Sequence, residues 1–105
     1  MKLVQPRILI AVCTCQRDAQ LAVCLDSIVR QAIPLDWIVE LLVVENDASG
    51  NALSIVNEAR KKAPFEILYE QETLQGIPFA RNRVLEIARL RGCDWVIFID
   101  DDEVI

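Results

Sequence analysis

The sequence closes on four consecutive carboxylates, Asp100, Asp101, Asp102 and Glu103, directly after the apolar run Trp95–Ile99. A buried strand that delivers acids at its carboxyl end is how open α/β sheets present a divalent cation to a phosphorylated ligand, because ligands sit in the crevice beyond those strand ends. Mg²⁺ or Mn²⁺ is the cation this pattern suggests first. Side chains alternate along extended backbone, so Asp100 and Asp102 are expected to face one way and Asp101 the other. The competing reading of the tetrad is an acidic, solvated turn after a core strand.

These acids need a scaffold, and the apolar runs supply one. Ile8–Val12, Ile38–Val44, Ile67–Tyr69 and Trp95–Ile99 read as strands. Most are nearly unbroken in Val, Ile and Leu, the mark of parallel strands covered on both faces. Between them lie helical stripes. Leu21, Cys24, Leu25, Ile28 and Val29 follow a 3.6-residue period, with Asp18 placed as N-cap and Pro34 closing the segment. Ala52, Ile55, Val56, Ala59 and Ala63 form a second stripe, with Ser49 and Asn51 as caps and Pro64 as stop. Ala80, Val84, Ile87 and Ala88 form a third, followed by Gly92 where a left-handed terminator belongs. The β-α-β-α-β-α-β order predicts an α/β three-layer sandwich: a mostly parallel, Rossmann-like sheet of four strands with three helices.

A parallel sheet collects its functional residues in the loops after the strands, and polar residues do gather there. Thr14, Cys15, Gln16 and Arg17 follow the first strand, and Glu45, Asn46, Asp47, Ala48 and Ser49 the second. Gln71 and Glu72 follow the third, and the tetrad follows the fourth. Singly each group is ordinary turn chemistry; together at one sheet edge they suggest a ligand crevice.

Composition bounds what the crevice serves. With 105 residues, 53% of them hydrophobic, the chain is at most one small domain with its own core. Its 11 basic and 16 acidic residues give a net charge of −5, which argues against a nucleic-acid surface. Arg81, Arg83, Arg89 and Arg91 nevertheless fall in one stretch able to hold a diphosphate. Cys13, Cys15, Cys24 and Cys93 lack zinc-ribbon spacing, and the chain has no histidine. Free thiols in a reducing compartment fit better, and no apolar run approaches a bilayer span. Lys2 and Arg7 precede the six-residue apolar run Ile8–Cys13, but that run leads into polar Thr14 rather than a small-residue cleavage site, so a signal peptide is not indicated. The expectation is a cytoplasmic protein, with peripheral attachment at the inner membrane face compatible.

The motifs Val12-Cys13-Thr14-Cys15-Gln16-Arg17, Val43-Val44-Glu45-Asn46-Asp47-Ala48-Ser49, Gly76-Ile77-Pro78-Phe79-Ala80-Arg81-Asn82 and Ile99-Asp100-Asp101-Asp102, in that order, resemble the nucleotide-binding half of a family 2 glycosyltransferase. Such enzymes have the GT-A fold and a D-x-D metal motif. The resemblance implies a nucleoside-diphosphate-sugar donor, UDP-linked as the first candidate, and a saccharide or lipid-linked acceptor. It sets Thr14, Cys15 and Arg17 in the loop against the nucleotide. Glu45, Asn46 and Asp47 form a second nucleotide-binding group, with Asp47 as the acid touching base or ribose. Arg81 falls near the nucleotide, Asp100 near the ribose with Asp101 beside it, and Asp102 on a Mg²⁺ or Mn²⁺ that bridges both phosphates.

Where the family has an aromatic residue followed by Asn, this chain has Cys15 and Gln16, so base identity does not carry over. The acceptor region and the catalytic base lie downstream of the metal motif in the family, so the base is expected beyond Ile105. The expectation is therefore a donor half, residues 1–105, truncated after D-x-D and inactive alone. An apolar edge at Trp95–Ile99, which pairs with a later strand in the family, is then expected to promote self-association. The alternative class is a receiver-like Mg²⁺-binding signalling module. It calls for acids after an early strand, where this chain has only Asp18.

Overall fold

The computed structural model describes residues 5–105; Lys2 lies outside the described residues. The elements run β1 (Arg7–Thr14), α1 (Asp18–Val29), β2 (Ile38–Glu45), α2 (Ala52–Arg60), β3 (Glu66–Gln71), α3 (Ile77–Leu90) and β4 (Trp95–Phe98). The strands form one sheet in the order β3-β2-β1-β4, every pairing parallel. The expected α/β layering holds. Ile8, Ile10, Val12, Leu41 and Val43 pack on one face against α1 and α2 through Leu21, Leu25, Ile28 and Val56. Leu9, Ala11, Leu42 and Val44 turn to the other face and meet Ala80, Val84 and Ala88 of α3. Helices on both sides explain why β1 and β2 read as unbroken apolar runs, since either face of each strand is core.

β1, β2 and β3 extend beyond their apolar runs because ladder bonds use backbone. Thr14 pairs with Glu45, and Glu45 with Gln71. Helix starts depart further from the sequence pattern. Asp18 is the first helical residue, Arg17 is the N-cap, and no side chain caps α1; the acid in the first turn favours the helix through its dipole. At α2 neither Ser49 nor Asn51 caps directly. Instead the Glu45 carboxylate accepts from the Ala52 N–H at 3.1 Å, a buried anion at a helix N-terminus reached from the preceding strand. α3 begins at Ile77, a turn ahead of its first buried residue, with Pro78 in the opening turn. Gly76 before it has φ 137°, and a Cβ there would lie 3.3 Å from the Phe79 ring. Gly92 has φ 67°, the left-handed terminator expected after α3.

β4 is the edge strand beside β1, with Trp95 67% and Ile97 46% exposed. At the amino-terminal rim, buried Glu40 accepts from Arg91, and Arg7 donates to the Arg91 carbonyl, tying the end of α3 to the sheet. The carboxyl rim stays open. No helix among the described residues is long and apolar enough to cross a membrane.

Candidate functional site

The carboxyl ends of β1, β2 and β4 and the start of α3 enclose a cleft of about 510 Å³. Its floor is set by one contact between strand ends. Thr14, buried as the last residue of β1, donates its hydroxyl to Asp101 Oδ2 at 3.0 Å, while Arg17 Nη1 donates to Asp101 Oδ1 at 3.4 Å. Both oxygens of Asp101 are thus engaged and the residue is buried. The middle acid is a strut that joins the acidic turn to the β1 loop.

Alternating side chains require extended backbone through Asp102, and the structure differs. The strand ends at Phe98 and residues 101–102 form a turn. The Glu103 N–H donates to the Asp100 carbonyl at 3.0 Å, and the Asp100 N–H to Glu103 Oε1 at 2.8 Å. Glu103 therefore closes the turn. Asp100 and Asp102 still face outward and Asp101 inward, but the turn and the Thr14 strut produce that sorting. Neither outward carboxylate has a hydrogen-bond or ion-pair partner among the described residues, and both line the cleft. Beneath them the Cys24 thiol donates to the Asp100 carbonyl at 3.5 Å. Burial first, and then the nearby acids led by Asp101, push that thiol up to about 11, so it stays a neutral donor.

Past the turn the chain leaves the cleft. Ile105, the position beyond which the catalytic base is expected, is not among the lining residues and is 51% exposed. Its N–H donates to the Ser27 hydroxyl at 3.2 Å, and its carbonyl accepts from the Gln31 side-chain amide at 3.1 Å. These two bonds hold Ile105 against the end of α1.

The β2 loop is bonded just as tightly, but inward. The Asn46 N–H donates to the Thr14 carbonyl at 2.7 Å. Its side-chain amide donates to the carbonyls of Glu72 and Leu74, both at 2.9 Å, and its oxygen accepts from the Gly76 N–H at 2.9 Å. Only this amide orientation satisfies all three partners. Asn46 lines the cleft while pinning the β3–α3 loop to β2.

Asp47 is buried and accepts from the Ser49 N–H at 2.8 Å, the Ser49 hydroxyl at 2.5 Å and the Gln16 N–H at 3.3 Å. The Ser49 hydroxyl is the main cause holding its carboxyl below the usual range. The bond to Gln16, which has φ 55°, ties this loop to the β1 loop. Glu45 accepts from the Tyr69 hydroxyl at 2.5 Å as well as from Ala52. Burial, reinforced by Glu45, pushes the Tyr69 phenol up to about 12. Glu45 and Asp47 do not line the cleft; they brace its wall.

The cleft accordingly brings together Thr14, Cys15, Arg17 and Asn46 with Arg81 and Asp100–Asp102, and leaves Glu45 and Asp47 behind it. Arg81 lies over the Phe98 ring, 4.6 Å from its centroid. Cys15 is exposed, while Cys13 is half-buried with its thiol raised mainly by burial. Asp18 is exposed at the start of α1. Phe98, Ile77 and Cys13 also line the cleft. The sequence pattern assigns Phe98 to a strand core; its place at the last pleat before the acids is the one signal that it reaches the site.

Among the described residues no group of three or more His, Cys, Asp or Glu side chains is placed to hold a metal. Two free carboxylates, Asp100 and Asp102, are what remains. That set fits a hard cation that takes one or two protein carboxylates and draws its other ligands from water and phosphates.

A family model described as Glycosyl transferase family 2 matches residues 9–105. The chain is similar to the succinoglycan biosynthesis protein ExoM of Rhizobium meliloti, 34% identical over 96 residues, covering 91% of this chain and 30% of that protein. It is also similar to a poly(ribitol-phosphate) beta-glucosyltransferase of Bacillus spizizenii, 31% identical over 83 residues, 78% of this chain and 12% of that protein. The chain thus spans less than a third of either relative.

Proposed function

The chain belongs to glycosyl transferase family 2, and from that membership we propose that it binds the donor of a sugar-transfer reaction: a nucleoside-diphosphate sugar, held with Mg²⁺ or Mn²⁺, whose glycosyl group passes to a saccharide or lipid-linked acceptor. One observation carries the reading. Two carboxylates without a partner among the described residues, Asp100 and Asp102, share a cleft with Arg81 and the β1 loop at the carboxyl rim of a parallel sheet, where such sheets bind ligands. A divalent cation bound there would offset the charge that builds on the departing nucleoside diphosphate.

The protein's own residues divide the remaining work. In this reading Asp102 holds the cation and Asp100 faces the ribose. Thr14, Cys15 and Arg17 form the wall against the base, and Arg81 supplies positive charge to the phosphates. Asp101, Glu45, Asn46 and Asp47 act through the loops they brace, because their polar atoms are already engaged. No described carboxylate is assigned the deprotonation of the acceptor hydroxyl, and in this reading that base belongs to sequence beyond Ile105. The similarity to a beta-glucosyltransferase agrees with sugar transfer. Four free thiols agree with a reducing, cytoplasmic setting.

The test is calorimetric titration of UDP into the protein with Mn²⁺ or Mg²⁺ and again with chelator. Binding that requires the cation in the wild type, and that the cation no longer strengthens in Asp102→Ala, so that UDP binds this variant only as weakly as it binds the wild type with chelator, supports the reading. Binding indifferent to chelator overturns the metal-held donor.

A further inference from the structure

Arg81 rests on an aromatic face where the cleft offers it acids. Arg17, the other cation lining the cleft, donates to Asp101 and has part of its charge offset there. Arg81 has no carboxylate within ion-pair distance among the described residues. Its guanidinium carbon instead lies 4.6 Å from the centroid of Phe98. The difference matters chemically. A carboxylate would fix the side chain and cancel its charge, whereas a ring quadrupole fixes it and leaves the charge to an incoming anion.

The ring is itself held in place. Phe98 ends β4, is in register with Ala11 of the central strand, and packs half-buried on the α3 side of the core. Two residues on, the same strand delivers Asp100. The element that carries the free acids therefore also carries the rest for the cation, and their relative placement is set by one short piece of backbone. A guanidinium already seated on a ring loses less rotamer freedom when a phosphate arrives than one waving in solvent.

We propose that Phe98 is a positioning residue: its ring holds the Arg81 guanidinium in the cleft, unneutralised, as the docking point for the diphosphate charge of the ligand. This rests on the donor-binding reading above and adds to it a residue outside the charged motifs. Phe98 acts through Arg81, so its effect is confined to ligands that carry phosphate.

The test compares UDP with uridine, with Mg²⁺ present, for the wild type, Phe98→Leu, Phe98→Tyr and Arg81→Met, and for Phe98→Leu combined with Arg81→Met. UDP binding is expected to weaken about three- to tenfold in Phe98→Leu, with uridine unmoved and the Tyr variant restored. In the Arg81→Met background, Phe98→Leu adds nothing further. NMR of the wild type gives a readout that needs neither ligand nor variant: the Arg81 δ-protons resonate upfield, shifted by the ring current. Random-coil shifts for those protons, equal loss for uridine and UDP, or the same loss in the Arg81→Met background each overturn the inference. A wild type that binds no UDP overturns the donor-binding reading beneath it. A wild type and Phe98→Leu that bind UDP equally overturn the role of Phe98 alone.

Discussion

Replacing Asn46 by Ala isolates how the site is built. The side chain makes three hydrogen bonds of 2.9 Å, two to carbonyls and one from a backbone N–H, all in the segment that leads into α3. A typical intramolecular hydrogen bond contributes about 1 kcal/mol net, so three contribute about 3 kcal/mol. Leu74 is exposed, so water replaces part of the loss, and the expected destabilisation is about 2–3 kcal/mol. In a chain of this size that corresponds to a fall in Tm of roughly 10 °C. Urea unfolding should show a lower midpoint at unchanged slope, and the Gly76 amide should lose hydrogen-exchange protection. Asn46→Asp should be worse than Ala, because a carboxylate cannot donate to the two carbonyls it would face. A loss below about 0.5 kcal/mol in Asn46→Ala, or full protection at Gly76, would refute the claim that this residue pins the loop.

Tyr69 is the only tyrosine in the chain, so absorbance at 295 nm reports it alone. Its midpoint should lie near 12 and fall only part of the way toward the ordinary value of about 10 in Glu45→Gln, because burial is the larger cause; a wild-type midpoint near 10 would contradict both the burial of the phenol and its bond to Glu45. Asp47 is held below its ordinary value, so its contribution to stability is complete above about pH 5 and is lost as pH falls through its unfolded value near 3.9 and on toward the folded one. Asp47→Asn should flatten that acid limb, measured as urea midpoints from pH 6 to pH 3, and an unchanged limb would count against the Ser49 and Gln16 bonds. Finally, β4 leaves an edge unpaired among the described residues, with Trp95 and Ile97 exposed, so a polypeptide of these 105 residues should self-associate. Trp95→Lys should suppress this, and a wild type that sediments as a monomer at high concentration would refute it.

Much of the scaffold could be read from residue order. The unbroken runs in β1 and β2 signal strands buried on both faces, and the Leu21/Leu25/Ile28 stripe signals a helix with one buried side, because each is a periodicity of burial. Gly92 announced its own φ. Most of the cleft's charged and polar lining was also legible, since a parallel sheet sends every post-strand loop to one rim. What stayed hidden depends on partners distant in sequence. Glu45 looks like a loop acid, yet it caps α2 from the end of β2. Glu40 sits in an apolar run as a buried charge whose partner, Arg91, is 51 positions away. Asp101 differs from its neighbours through Thr14 and Arg17, 87 and 84 positions back. Ile105 follows the acids in sequence, yet Ser27 of α1 draws it away from their cleft. Phe98 reads as core until Arg81 is seen lying on it.

In the proposed site Asp102 of the acidic turn holds a cation together with a nucleoside diphosphate, with Asp100 beside it facing the ribose. Paramagnetic broadening tests it most directly, by titrating Mn²⁺ into the protein with and without UDP and following the backbone amides. UDP-enhanced broadening is expected, centred on Asp100–Asp102 and reaching Thr14 and Arg81, and abolished in Asp102→Ala. Broadening centred elsewhere, or unchanged by UDP or by that substitution, would contradict it.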